Sequence, residues 1–459
     1  MYGKGLAMSR LRIALGVIAL GALPAAMAQV FTLQEAVTFA LAHNSSAQVA
    51  RARLAAAEDQ LTLARDQGGP QASVSYGYLL SNNPLEALSA ELERRQVTAQ
   101  AFSPNTLNHP GVTRLGTTTL SLSWPVYQGG AVQDGIKASL FDKKAALHGK
   151  EEVRQEIIAN VARAYEGVLA ALAVEQIAQK GVDAAARHAR TAHYLYSHGR
   201  IVHSDALTAT VNLGANQNQL AEAQQDVTTA RNNLALAMGA PPHLAVTTLK
   251  LVRAPIPMPT QDLTHYLSTA LQKRIDMKAL EARIAALRAR AHGAQARSSF
   301  QVRLMADSQW FSKTPGLKHN AWTIGAVISK SLYDGHQNRD HAQVLEDQRA
   351  ELEGERAGLR LHIEYQVKDA YEKMQDAAAR YAIARTNVTR AKRAVALIRL
   401  RYGEGRTILL DLLNAEQGLV QARETRLAAL YALVKSKLAL TQACGTLSQA
   451  SLASLGLPS

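Results

Sequence analysis

The chain has 459 residues, a formal net charge of +14 and only 5% aromatic residues. So few rings leave little for base-stacking platforms, and the charges interleave, as in Arg51, Arg53, Glu58, Asp59 and Arg65, which reads as solvated helix faces and excludes a nucleic-acid partner. The single cysteine, Cys444, excludes an internal disulfide and lies far from the N-terminus, so the expected protein is not N-terminally lipidated through cysteine.

Lys4, Arg10 and Arg12 precede the apolar run Ile13 to Leu23, and Ala26-Met27-Ala28 supplies the small residues a signal peptidase needs. This order predicts a signal peptide over 1–28 and a mature chain starting at Gln29. Its removal takes away three basic and no acidic residues, leaving +11. No later stretch reaches ~18 uninterrupted apolar residues. An exported bacterial-type protein of this kind is periplasmic, secreted or an outer-membrane β-barrel.

A first helix is predicted over Leu33 to Gln67. Ala72, Val74, Tyr76 and Tyr78 then alternate with Ser73, Ser75 and Gly77, predicting a strand over about 71–80. The segment Ser81 to Gly116, with Pro84, Pro104 and Pro110, reads as a loop. Leu120, Leu122 and Trp124 alternate with Thr119, Ser121 and Ser123, giving a strand over about 117–127. A long helix follows over 131–197, at 1.5 Å per residue roughly 100 Å. After the turn Ser197-His198-Gly199 comes a helix over 203–238. Asn212, Asn216, Gln217, Asn218, Gln219, Gln224, Gln225, Asn232 and Asn233 make that helix polar nearly all round. Two readings fit: a hollow bundle wet inside and outside, or an exposed surface helix.

Pro241 to Pro259 mark a linker over 241–261. The order then recurs: a helix over Asp262 to Arg297, strands over about 300–310 and 321–333, and long helices over 337–401 and 407–443 joined at Gly403-Glu404-Gly405. The second pair of strands alternates Phe300, Val302, Leu304 and Ala306, then Trp322, Ile324, Ala326 and Ile328. Residues 447–459 remain as a C-terminal tail. Val388, Ala391, Val395, Ile398 and Tyr402 step by three and four, as do Leu427, Tyr431, Val434 and Leu438, which is coiled-coil spacing. No proline lies in 126–240 or 316–457, as helices of this length require, since proline costs ~3 kcal/mol in a helix interior.

The recurrence is a true register. Shifted by 206 residues, Tyr127-Gln128-Gly129 meets Tyr333-Asp334-Gly335, Ala164-Tyr165 meets Ala370-Tyr371, and Tyr196, Gly199-Arg200, Asp205 and Leu207 meet Tyr402, Gly405-Arg406, Asp411 and Leu413. Upstream the offset is 230, pairing Ala40-Leu41 with Ala270-Leu271, so the first copy carries 24 extra residues between Tyr78 and Trp124. The two copies are placed at 29–240 and 262–446. Four strands of apolar-out, polar-in pattern are the signature of membrane barrel strands, with Trp124, Trp310 and Trp322 near strand ends where interfacial aromatics belong. Four cannot close a barrel, since the smallest single-chain barrels use eight. Either the sheet is soluble and open or several chains share one barrel, and the long helices favour the second.

With Leu33-Gln34-Glu35-Ala36-Val37 after the signal, Trp124-Pro125-Val126-Tyr127-Gln128-Gly129-Gly130 at a strand-to-helix joint, and Tyr402-x-x-Gly405 followed by Leu410-Asp411-Leu412-Leu413-Asn414-Ala415, the chain resembles the TolC-type outer-membrane efflux proteins over nearly its whole mature length. The resemblance implies a mixed membrane fold, mainly α. Long coiled-coil helices would form a periplasmic α-barrel, and four strands per protomer would enter a twelve-stranded β-barrel shared by a homotrimer. It implies a location in the Gram-negative outer membrane, in contact with its lipid and extending into the periplasm. It also implies an exit duct working with a periplasmic adaptor and an inner-membrane transporter of RND, ABC or MFS type, for small toxic compounds or, alternatively, for a protein or peptide in type I secretion. A non-channel periplasmic coiled-coil scaffold is the reading from another class.

By the same resemblance the helix turns form the closed periplasmic tip, with Ser197, Gly199, Arg200, Gly403 and Gly405 at the adaptor-docking turns and Tyr402, Arg406, Thr407, Asp411 and Asn414 at the gate. The family's closing arginine stands one place early here, at Arg406, with Thr407 at the usual spot, and Asn414 replaces the second of two pore acids. In a trimer Asp411 would give one ring of three carboxylates, attractive to cations. Pro70 and Pro125 at the first copy's helix–strand boundaries are replaced by Phe300 and Ser331 in the second. No catalytic constellation, cofactor motif or metal site is expected. His188, His193, His198 and His203 step by five residues, about 140° each, and scatter around a helix.

Overall fold

The computed structural model describes residues 29–241, 246–248, 261–404 and 406–453. The predicted signal peptide, most of the 241–261 linker and the end of the tail lie outside the described residues. A short β1 (Gln29–Phe31) leads into α1 (Leu33–His43) and α2 (Ser45–Asp66). Next come strands β2 (Gln71–Ser81) and β3 (Thr113–Gln128), separated by the short helices α3 (Pro84–Glu93) and α4 (Pro104–Asn108). The first copy ends with α5 (Ala131–Ser197) and α6 (His203–Met238), and a short β4 (Val246–Thr248) follows. The second copy comprises α7 (Leu263–Lys273), α8 (Ile275–Ala296), β5 (Gln301–Ser312), β6 (Asn320–Ser329), α9 (Gln337–Gly403) and α10 (Leu409–Ala443), and α11 (Gln449–Ala453) is the last element among the described residues.

The single helices predicted over 33–67 and 262–297 are each two. Thr32 starts α1 with a capping box, its hydroxyl accepting from Glu35 N at 3.1 Å while Glu35 Oε2 accepts from Thr32 N at 2.8 Å. After the 11 residues of α1, Asn44 leaves the helix and caps α2, accepting from Ser46 N at 2.8 Å. Arg274 breaks the second copy at the equivalent place.

The cause of both breaks is tertiary. Gly239, at φ +70°, ends α6 so close to the Asn44 elbow that a Cβ on it would lie 3.0 Å from Asn44 Cα. Asn44 Nδ2 donates to Ala237 O at 3.2 Å. Gly445, at φ +65°, stands equally close to Arg274 (3.1 Å to Cα), whose Nη1 donates to Ala443 O at 3.3 Å. Each elbow therefore seats the end of the returning helix. The long helix α5 is partnered by α2, α8 and α6, and α9 by α8 and α10.

Both long helices contain 67 residues, so each is about 100 Å long. The copies interlock, because α8 packs against both α5 and α9, and α10 touches α5. The main core lies at this crossing. Leu33, Val37, Ile158, Tyr165, Leu234, Met238 and Leu438 are buried together, and the Tyr165 hydroxyl donates to Phe31 O at 3.1 Å. An 18-residue window of α5 has mean hydropathy 1.5 and is half buried, as expected of a core helix. β1 pairs in parallel with β4. Residues 447–453 are not a loose tail: Leu447 and Leu452 enter this core, and Gln449 Nε2 donates to Gln34 O and to Thr38 Oγ1 at 3.3 and 3.0 Å.

The four longer strands form one antiparallel sheet in the order β2-β3-β5-β6, so the copies meet where β3 pairs with β5. The strand predicted over 321–333 stops at Ser329. That residue pairs with Gln301, the first of β5, so residues 330–333 have no ladder partner, and Leu332 and Tyr333 are exposed. The β2–β3 connection, 82–112, has 31 residues and the β5–β6 connection, 313–319, has seven. The surplus equals the 24 by which the sequence offsets differ. The longer connection is not the plain loop its prolines suggested. Pro84 and Pro104 occupy first helical positions, which tolerate proline, behind the caps Asn83 and Ser103.

Candidate functional site: the sheet and the helical tip

Directly opposed residues in an antiparallel ladder share a face, so the register sorts the sheet. One face carries Ser73, Ser75, Thr119, Ser121, Asp307 and Thr323. On it Ser121 Oγ donates to Asp307 Oδ1 at 2.6 Å. The other carries Val74, Tyr76, Leu120, Leu122, Trp322, Ile324 and Ile328, and there Val74, Trp322 and Ile324 are 73%, 70% and 74% exposed. All three predicted interface tryptophans lie on this apolar face. Trp124 is at the helical end, its indole N–H donating to Gly68 O at 3.1 Å. Trp310 pairs with Thr118 and Asn320, and Trp322 with Ser308, towards the other end. From Trp124 to the level of Trp310 is six residues, about 20 Å at ~3.4 Å each, comparable to the about 25 Å apolar band of a membrane barrel.

At the far end of the helices the first turn closes on Gly199 (φ +66°). Arg200 N donates to Leu195 O and Gly199 N to Tyr196 O, both at 2.9 Å, a helix end that needs a left-handed residue. Ser197 Oγ donates to Tyr194 O at 2.8 Å. Tyr196 stacks on His203 at 4.7 Å between centroids, and Tyr194 lies 4.2 Å from His198. The four histidines do not converge, and among the described residues no cluster of three metal-ligating side chains occurs.

The second turn is built differently. Arg406 N donates to Arg401 O at 2.8 Å. Gly403 ends α9, and Gly405 lies outside the described residues. The Arg406 guanidinium turns back to Glu404 at 3.2 Å, and it is Thr407 whose hydroxyl donates to Asp411 Oδ2. Asp411 and Asn414 are both exposed, three residues apart on α10. Tyr402 is half-buried; burial pushes its hydroxyl pKa up and the Asp205 carboxylate adds to this. Tyr402 of the second turn therefore faces the start of α6. Ile201 and Leu409 join the turns by packing on buried Ala192, Ala206 and Ala209. Asp205 is thus part of the tip although sequence reasoning did not place it there. The signal was available, because Asp205 is the partner of Asp411 at the 206-residue offset.

Further from the turns lies a link that the sequence reading missed. Glu416 of α10 accepts from His188 of α5 and from Arg399 of α9, both at 2.7 Å. Burial raises the Glu416 pKa, but the hydrogen bonds and charges of His188 and Arg399 outweigh it and hold the carboxyl below its ordinary value. The bridge ties the first copy's hairpin to both helices of the second. Its members stand opposite Ala394, His193 and Thr210 at the 206-residue offset, so the duplication gave no hint of it.

Residues 37–240 and 266–446 match the model of the outer membrane efflux protein family. In sequence the chain is similar to Protein CyaE of Bordetella pertussis, 26% identical over 435 residues, covering 92% of this chain and 85% of that protein. In structure it is similar to CusC (TM-score 0.75, 18% identity, 90% of this chain and 92% of that one). VceC of Vibrio cholerae is also similar, with TM-score 0.72 and 20% identity over 90% of this chain and 96% of that one. So is the open state of the MtrE outer membrane channel of Neisseria gonorrhoeae, with TM-score 0.69 and 18% identity over 91% of each chain. At these identities the solved structures carry the fold. With a family match running through both copies, and with solved neighbours that share the fold over nine-tenths of the chain, the chain belongs to the outer membrane efflux protein family, a family of non-enzymatic channel proteins.

Proposed function

We propose that this protein is the outer-membrane exit duct of a tripartite efflux system. Three copies would close one twelve-stranded barrel in the membrane and continue it as a helical tube through the periplasm. The observation that carries the reading is the sheet: apolar and exposed on one face, polar on the other, with β2 and β6 left as edges. Unpaired edges and exposed apolar strands are aggregation hazards in water, and closure with further copies in lipid removes both. The polar α6 fits a tube wet on both sides. In such a trimer the exposed Asp411 supplies one carboxylate ring at the tip, Asn414 supplies none, and Tyr402, Arg406 and Thr407 surround the closure. The turns at Ser197–Arg200 and Gly403–Gly405 would dock a periplasmic adaptor, and an inner-membrane transporter would supply the energy.

The chain contains no sequence signal of a nucleotide site, so the duct conducts passively. Purified protein in a planar bilayer is expected to show small, infrequent openings at rest and larger ones when Tyr402→Phe is combined with Arg406→Ser. No conductance from either would reject the duct. Deleting the gene should raise sensitivity to small toxic compounds. An unchanged sensitivity together with loss of a secreted protein would assign the duct to type I secretion instead.

A further inference from the structure

Resting on that barrel reading, we infer that the 24-residue surplus of the first copy folds into the barrel as a size-selecting constriction at its extracellular mouth. The register decides this. Leu115 pairs with Leu79 and lies on the same face of β3 as Thr117, Thr119 and Ser121, with no bulge between them. Phe311 pairs with Thr117 and shares a face with Asp307. Both therefore belong to the polar face, where a leucine and a phenylalanine are out of place unless something covers them. Ala90 of α3 covers them, and the three are buried together.

The opposite arrangement, with the insert folded outward over the apolar face, would bury Tyr78, Leu80 and Trp322 at that end of the sheet, which are exposed. Two arginines fix the insert. Arg94 is buried and its Nη1 donates to Arg114 O at 2.7 Å. Arg95, a non-glycine residue at φ +56°, reaches Asn320 O with Nη2 at 2.9 Å. Asn320 opens β6, the edge strand opposite β2, so the insert starts at one edge of the sheet and is tied to the other. Three such inserts on the inner wall of one barrel narrow its outer mouth. The shorter β5–β6 connection leaves its share open. The tube would then have two independent constrictions, the tip governing release from the periplasmic side and the insert governing what size of molecule passes the outer end.

The test places Gln309→Cys on the inner face, one pair of residues deeper than Phe311, in a Cys444→Ser background. Intact cells are labelled from outside with a small maleimide and with a polyethylene-glycol maleimide. The comparison chain has residues 82–112 replaced by the seven residues of the 313–319 connection. The full chain should react with the small reagent and several-fold more slowly with the large one, and the replacement should abolish that difference. Equal rates for the large reagent in both chains would overturn the proposal. Failure of the small reagent to reach Gln309→Cys in either chain would instead reject the barrel. If the replacement does not reach the outer membrane, Arg94→Ala decides: it keeps the whole insert, loosens one anchor and should speed the large reagent, and an unchanged rate overturns the proposal.

Discussion

Glu416→Ala tests whether the cross-copy bridge holds the tip. His188 and Glu416 are 18% and 15% exposed and meet at 2.7 Å. A hydrogen bond to a charged group in such a setting contributes about 1.5–3 kcal/mol. The Arg399 side chain is 63% exposed, so its share is discounted to about 0.5 kcal/mol. Losing both contacts costs about 2–3.5 kcal/mol, roughly a 30- to 350-fold shift per protomer if the bridge exists only in the resting tip. Planar-bilayer recordings of Glu416→Ala should therefore show a large rise in open probability, and His188→Ala should give most of the same effect without adding to it.

The pH dependence has a definite sign. Glu416 is held below its ordinary pKa of 4.5. A depressed carboxyl stabilises fully above its unfolded value and loses that contribution as pH falls through the folded one. Acidification from 4.5 downwards on the tip side, through the lowered folded pKa, should raise open probability in the unaltered chain and leave Glu416→Ala unchanged. Unaltered open probability in Glu416→Ala at neutral pH would show that the bridge does not hold the tip closed.

Three further outcomes are expected. Gly239→Ala puts a side chain on a φ of +70° and 3.0 Å from Asn44 Cα. It should lower the thermal unfolding midpoint by the equivalent of at least about 1–2 kcal/mol, while Gly214→Ala, with nothing within 4 Å, should not. Trp322→Lys on the apolar face should impair assembly in the outer membrane by up to about 2–4 kcal/mol, whereas Thr323→Lys on the polar face should assemble; fractionation of the two distinguishes them. Burial raises the Glu166 pKa to about 8 from 4.5, so the folded chain favours the neutral acid. Ionising it opposes folding increasingly as pH rises from about 4.5 to about 8. Melts from pH 5 to 9 should show that loss, and Glu166→Gln should flatten it.

The long helices were legible because proline is absent and apolar residues keep a three-four step over many turns, and the strands because alternation shows directly in Val74-Ser75-Tyr76 and Leu120-Ser121-Leu122. What stayed hidden depends on contacts between distant segments. Asn44 and Arg274 are ordinary helix-edge residues in sequence, and only the ends of α6 and α10 arriving beside them make them elbows. Pro84 and Pro104 serve as helix starters as well as they serve loops, so the insert read as structureless. At the tip, the expectation that Arg406 acts in closure meets a turn in which its guanidinium pairs with Glu404 and Thr407 holds Asp411. His188 looked like one of four scattered histidines. Its partner lies 228 residues away, and nothing in local periodicity connects them.

If the open sheet is one third of a closed barrel, as proposed, the intact particle extracted from outer membranes in detergent holds three chains. Native mass spectrometry of that particle should give the mass of three chains that stay together in detergent. A single chain that is soluble without detergent would contradict it.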